Sequence, residues 1–115
     1  MDKKGQQVNR YVTDCEKELG EVFDIEYYKA IFDPVRIELI KYLAIHGAKN
    51  VGEIADNFTQ DRSVISRHLD IMCKQGILKK KKESRYMIYE VECWSIIEKF
   101  EETARNLRRM VEEER

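Results

Sequence analysis

The chain has 115 residues, of which 43% are hydrophobic and 37% charged, and its formal net charge is −1. That length suits one domain with a single core, while the apolar fraction is too high for a disordered tail and the charged fraction too high for a membrane protein. The apolar runs are short and broken by charges, and nothing after Met1-Asp2-Lys3-Lys4-Gly5 resembles a signal peptide, so a cytoplasmic chain with no membrane contact is expected.

In chain order, Val8, Tyr11, Val12, Cys15, Leu19 and Val22 step by three and four, which predicts an amphipathic first helix. Asp24 is placed to cap a short second helix through Tyr27, Ala30, Ile31 and Phe32. Asp33-Pro34 reads as an N-cap and first helical position, opening a helix that sends Val35, Ile37, Leu39, Ile40 and Leu43 to the core and stops at Gly47. Two helical patterns follow, Val51 to Phe58 and Ser63 to Gln75, separated by Thr59-Gln60-Asp61-Arg62. A short helix, a tight turn and a longer helix predict a helix-turn-helix over 51–76. The longer helix buries Val64 or Ile65, Leu69 and Met72 and leaves a polar, mostly basic face outside.

Gly76 ends that helix, and Ile77 to Glu83 reads as a strand leaving the core, with Arg85 to Val91 returning and a turn at Glu83-Ser84. A hairpin over 77–91 after a helix-turn-helix is a wing. From Trp94 the set Trp94, Ile97, Phe100, Ala104, Leu107 and Val111 again steps by three and four, predicting a long terminal helix in which Trp94 reads as core. The fold class is mainly α with a small β-hairpin, a winged helix-turn-helix in one domain over 1–115.

Charge is segregated along this path. Residues 1–59 hold eight basic and eleven acidic side chains, residues 60–89 hold eight and three, and residues 90–115 hold five and eight. The net +5 of the middle lies on the predicted helix and wing, where a polyanion would dock. An α-helix fits the major groove of B-DNA, and side chains near its start reach base edges. Arg62 and Arg67 are donors for guanine or phosphate, Ser63 and Ser66 are short enough to let the backbone approach, and His68 offers ring nitrogens. His68 reads equally well as a structural histidine hydrogen-bonded against the preceding helix. Lys79 to Lys82 with Arg85 and Tyr86 form a cationic hairpin suited to backbone phosphates or the minor groove, contacts that hold a protein on DNA without choosing its sequence.

There is no phosphate-cradling glycine loop, no G-x-S-x-G and no carboxylate–histidine cluster, so an enzyme is not expected, and no cofactor is called for. The three cysteines Cys15, Cys73 and Cys93 are widely spaced and contain no C-x-x-C. They read as unpaired thiols in a reducing compartment. A thiol-based metal, metalloid or redox sensor using Cys15, Cys73 and Cys93 is an alternative, as is an interaction module that has lost DNA binding.

Four segments in order resemble the ArsR family of bacterial and archaeal winged-helix repressors: Lys29-Ala30-Ile31-Phe32-Asp33-Pro34-Val35-Arg36, Val51-Gly52-Glu53-Ile54-Ala55, Ser63-Val64-Ile65-Ser66-Arg67-His68-Leu69 and Gln75-Gly76-Ile77-Leu78. The resemblance spans nearly the whole chain. It implies a transcriptional regulator, of the repressor type, that contacts double-stranded operator DNA through Arg62, Ser63, Ser66, Arg67 and His68 and through a wing containing Lys80, Lys81, Lys82, Arg85 and Tyr86. It also implies a homodimer built from helices 1–23 and 93–113, with Val8, Tyr11, Val12, Cys15, Leu19, Trp94, Ile97, Phe100, Ala104 and Leu107 at the interface and a roughly palindromic site. The family's metal-binding patterns are missing. No C-x-C lies in the first helix of the motif and no histidine in the last helix, so no metal site is expected and the effector is left open.

Overall fold

The computed structural model describes Asp14 and residues 16–113. Residues 16–22 are helical, and the chain then turns at Phe23 into α1, Ile25–Ile31. Asp24 caps α1 by accepting from the Tyr27 amide at 3.2 Å. Helix α2, Pro34–His46, opens with proline at a position whose missing amide hydrogen costs nothing. The Asp33 carboxylate takes the amides of Val35 and Arg36 at 2.9 and 3.1 Å. Gly47 ends the helix with φ at 84°, a conformation that a side chain resists.

Next come a two-residue strand β1, Lys49–Asn50, and a short helix α3, Val51–Ala55. Asn50 and Glu53 form a reciprocal capping box: Asn50 Oδ1 accepts from the Glu53 amide at 2.8 Å and Glu53 Oε1 from the Asn50 amide at 2.9 Å. Helix α4 runs Arg62–Lys74 and ends at Gly76, whose φ is 76°. The hairpin is β2, Leu78–Glu83, and β3, Tyr86–Val91, followed by α5, Cys93–Glu113. The sheet order is β1-β3-β2, all antiparallel, with Lys49 opposite Tyr89 and Leu78 opposite Val91.

Leu39, Ile54, Ile65, Leu69, Met72, Ile77 and Leu78 are fully sealed. They draw α2, α3, α4 and the start of the hairpin onto one centre. Removing this much apolar surface from water is the main stabilising term and sets the roll of α4. With helices around a small sheet whose hairpin projects after a helix-turn-helix, the architecture is that of a winged helix.

Several local expectations change. Helix α3 is three residues shorter than the Val51 to Phe58 pattern, because Asn57 Nδ2 turns back to the Glu53 carbonyl at 3.0 Å and the Tyr42 hydroxyl at 3.1 Å, closing the turn. The hairpin turn falls at Ser84-Arg85, with Ser84 at φ 59°. Of the residues assigned to the core from α2, only Leu39 and Leu43 are buried, while Val35, Ile37 and Ile40 are half-buried. Trp94 is not core. It is 78% exposed, and Ile96 is the residue of that turn packed against the central cluster.

Candidate nucleic-acid interface

The candidate interface is built on α4. Burial of Ile65, Leu69 and Met72 fixes its roll, leaving Ser63, Arg67, Asp70 and Lys74 exposed on the far side and Ser66 half-buried at the margin. Two small hydroxyl side chains near the helix start permit close approach, and Arg67 extends beyond them as a five-donor fork. Arg62 is exposed, but its guanidinium lies back over α3: a Cβ added to Gly52 would stand 3.7 Å from its Nη2. The Arg62 guanidinium thus lies beside Gly52 of α3.

His68 is half-buried at the inner margin of α4. Its Nδ1 accepts from Arg36 Nε at 3.0 Å. Burial and then the Arg36 charge hold the imidazole below its ordinary value, against a smaller opposing pull from Asp33. The ring is engaged with α2, not with the preceding helix α3 as one sequence reading had it.

The lysine run divides by strand alternation. Lys80 stands opposite the buried Tyr89 and Lys82 opposite Met87, on the face that carries Leu78. Lys79 and Lys81 take the other face, where Lys79 Nζ lies 3.7 Å from Glu90 and 3.6 Å from Glu92, and Lys81 Nζ lies 3.2 Å from Glu83. Among the described residues Lys80 and Lys82 have no carboxylate partner. Lys80 lies close enough to Cys73 on α4 to draw its thiol down, against the larger effect of burial. At the tip the Arg85 guanidinium carbon sits 5.9 Å from the centre of the Tyr86 ring, which is half-exposed.

A second surface is apolar. On α5, Ile97 and Phe100 are 41% and 40% exposed, Ala104 is exposed and Leu107 half-buried, and Trp94 continues the same stripe. Phe100 packs edge-on against Tyr28 and Phe32, with ring centres at 5.3 and 6.1 Å. Together with Phe23, Ile25, Ala104 and Leu107 these rings line an open groove of about 440 Å³. Leu19 is exposed, while Val8, Tyr11, Val12 and Cys15 lie outside the described residues.

The other thiols are unlike one another. Cys73 is half-buried, and burial pushes its thiol up, away from the thiolate form that ligates metals or reacts with oxidants. Cys93 is exposed at the start of α5. Among the described residues no group of three His, Cys, Asp or Glu side chains is arranged to hold a metal ion, and no helix is long and apolar enough to cross a membrane.

The family model described as bacterial regulatory protein, arsR family, matches residues 33–80, from the cap of α2 into the wing. An uncharacterized HTH-type transcriptional regulator of Methanocaldococcus jannaschii is 38% identical over 66 residues, covering 57% of this chain and 74% of that one. The chain belongs to the ArsR family. Among solved structures, the transcriptional repressor PagR of Bacillus anthracis is 28% identical, with a TM-score of 0.55 over 60% of this chain and 78% of that one. An ArsR-like transcriptional regulator from Rhodococcus sp. RHA1, 22% identical, shares the fold at a TM-score of 0.60 over 87% of this chain and 85% of that one. This ArsR-family chain is a DNA-binding transcriptional regulator and not an enzyme, and the winged helix expected from its residues is the fold it has.

Proposed function

We propose that the chain is a cytoplasmic repressor that occupies a palindromic operator as a homodimer. The observation that carries this reading is the exposed Ser63–Arg67 face of α4 beside Lys80 and Lys82 of the wing, which have no carboxylate partner among the described residues. Ser63, Ser66 and Arg67 face the major groove, Arg62 reaches DNA only by swinging off α3, and Lys80, Lys82 and Arg85 hold phosphates, with Tyr86 packing beneath Arg85. Lys81 meets phosphate only by giving up Glu83, an exposed pair of little strength. The repressor assignment is supported by the likeness to PagR, itself a transcriptional repressor.

Dimerisation is supported by shape as well as by the apolar stripe. The radius of gyration is 19.2 Å, against about 13 Å for a compact chain of roughly this size. Helix α5 projects from the core with an uncovered apolar face, which the segments 1–23 and 93–113 of a second copy would bury. Two-fold pairing would set the recognition helices about 34 Å apart, one turn of DNA.

The two classes of contact separate in a binding titration. Arg67→Ala is expected to weaken the operator by about 1–3 kcal/mol while leaving random duplex nearly unchanged. Lys82→Ala is expected to weaken both alike and to reduce the log K against log salt slope by about one. Equal losses on both duplexes for both variants would contradict the division.

A further inference from the structure

Arg36 is the third residue of α2, where the positive end of the helix dipole disfavours a cation. Its side chain turns away from that dipole and divides its donors between two other helices. Nη1 donates to the Lys29 carbonyl at 3.3 Å and to the Ala30 carbonyl at 3.1 Å. Both belong to the last turn of α1, where carbonyls lack partners within the helix and a cation is favoured. Nε donates to His68 Nδ1 on α4 at 3.0 Å. A guanidinium cannot accept a hydrogen bond, so Nδ1 must be unprotonated, and a neutral imidazole then carries its proton on Nε2.

We propose that Arg36 is the positioning residue of the recognition helix: by joining the end of α1 to His68 it seats α4 and locks the His68 ring as its Nε2–H tautomer. The acceptor nitrogen is taken up inside the fold, so the other ring nitrogen can only donate. This serves DNA reading through the setting of α4, and His68 acts as the anchor of that setting. The DNA consequence rests on α4 being the recognition helix, whereas the clasp itself does not.

Protonation of His68 removes the acceptor and sets a second cation against Arg36. The charged groups facing the ring are Arg36 and Asp33 from the start of α2 and Arg67 from its own helix. Burial and the two arginines outweigh Asp33, so the folded chain binds this proton more weakly than the unfolded chain. The clasp's contribution to stability is therefore complete above a pH of about 6.5 and is lost as pH falls through the lowered folded value.

The chain has two histidines, His46 and His68, so long-range ¹⁵N–¹H spectra of the ¹⁵N-labelled full chain resolve them, with His46→Gln supplying the assignment. His68 is expected as the Nε2–H tautomer at neutral pH, with a midpoint below that of histidine in the unfolded chain. Arg36→Met is expected to abolish the tautomer preference and raise the His68 midpoint. An Nδ1–H ring, or a midpoint that Arg36→Met leaves unmoved, would overturn the clasp.

Should Arg36→Met fail to fold, His68→Asn and His68→Leu decide the matter, because Asn Oδ1 replaces the acceptor and Leu does not. On a duplex selected by the wild-type chain, His68→Leu is expected to lose selective binding on the order of tenfold. His68→Asn is expected to lose less and to keep the wild-type salt slope. Equal losses for the two substitutions would overturn the positioning role. If the wild-type chain selects no duplex, the proposed function fails while the spectra still judge the clasp.

Discussion

Ser84 at the tip of the wing carries the backbone strain of the hairpin. Its φ of 59° lies where a Cβ crowds the following carbonyl, and serine tolerates it better than a β-branched residue. Ser84→Val is expected to destabilise the fold by about 1–2 kcal/mol in a denaturant titration, and Ser84→Gly to leave it unchanged or slightly more stable. A Ser84→Val chain as stable as wild type would mean that the turn relaxes freely. At this same scale the sequence was least informative. Four successive lysines are chemically alike, and their separation into Lys79 and Lys81, paired with carboxylates, and Lys80 and Lys82, without them, arises only from the strand register. Likewise the partner of His68 is Arg36, 32 positions away, and no local pattern connects them.

Helix ends were legible because each is a local event. Asp24, Asp33-Pro34, Gly47 and Gly76 announce caps whose geometry depends on a few neighbouring residues, and all four stand where helices start or stop. Strand β1 was missed, since two residues between a glycine and a helix carry no alternation and gain their strand character only by pairing with Ile88 and Tyr89. Helix α3 is too short to persist by propensity alone, so its capping box matters disproportionately. Asn50→Ala is expected to cost about 1 kcal/mol in thermal or chemical unfolding. Because β1 and α3 meet at Asn50, hydrogen exchange at the Glu53 amide should accelerate in the same variant. Unchanged stability and exchange would show that packing of Ile54 suffices to hold the helix.

For the whole molecule, the apolar stripe of α5 was legible as a period of three and four, but its side of the fold was not. Period alone does not say whether a helix faces its own core or another chain, and Trp94, assigned to the core, instead lies 78% exposed. That exposure gives a direct reading of assembly, since Trp94 is the only tryptophan. Its emission is expected to shift to shorter wavelength as concentration rises, and Phe100→Glu to hold it at the long-wavelength position while sedimentation reports a monomer. An emission maximum independent of concentration, with a monomer throughout, would remove the two-fold arrangement.

The central claim, that α4 and the wing read an operator in two-fold symmetry, is tested most directly by selecting bound duplexes from a random DNA pool with the purified, reduced chain at near-physiological salt. The account predicts recovery of an inverted repeat whose half-sites are centred about one helical turn apart. Recovery of no common sequence, with only weak and strongly salt-sensitive binding, would contradict it.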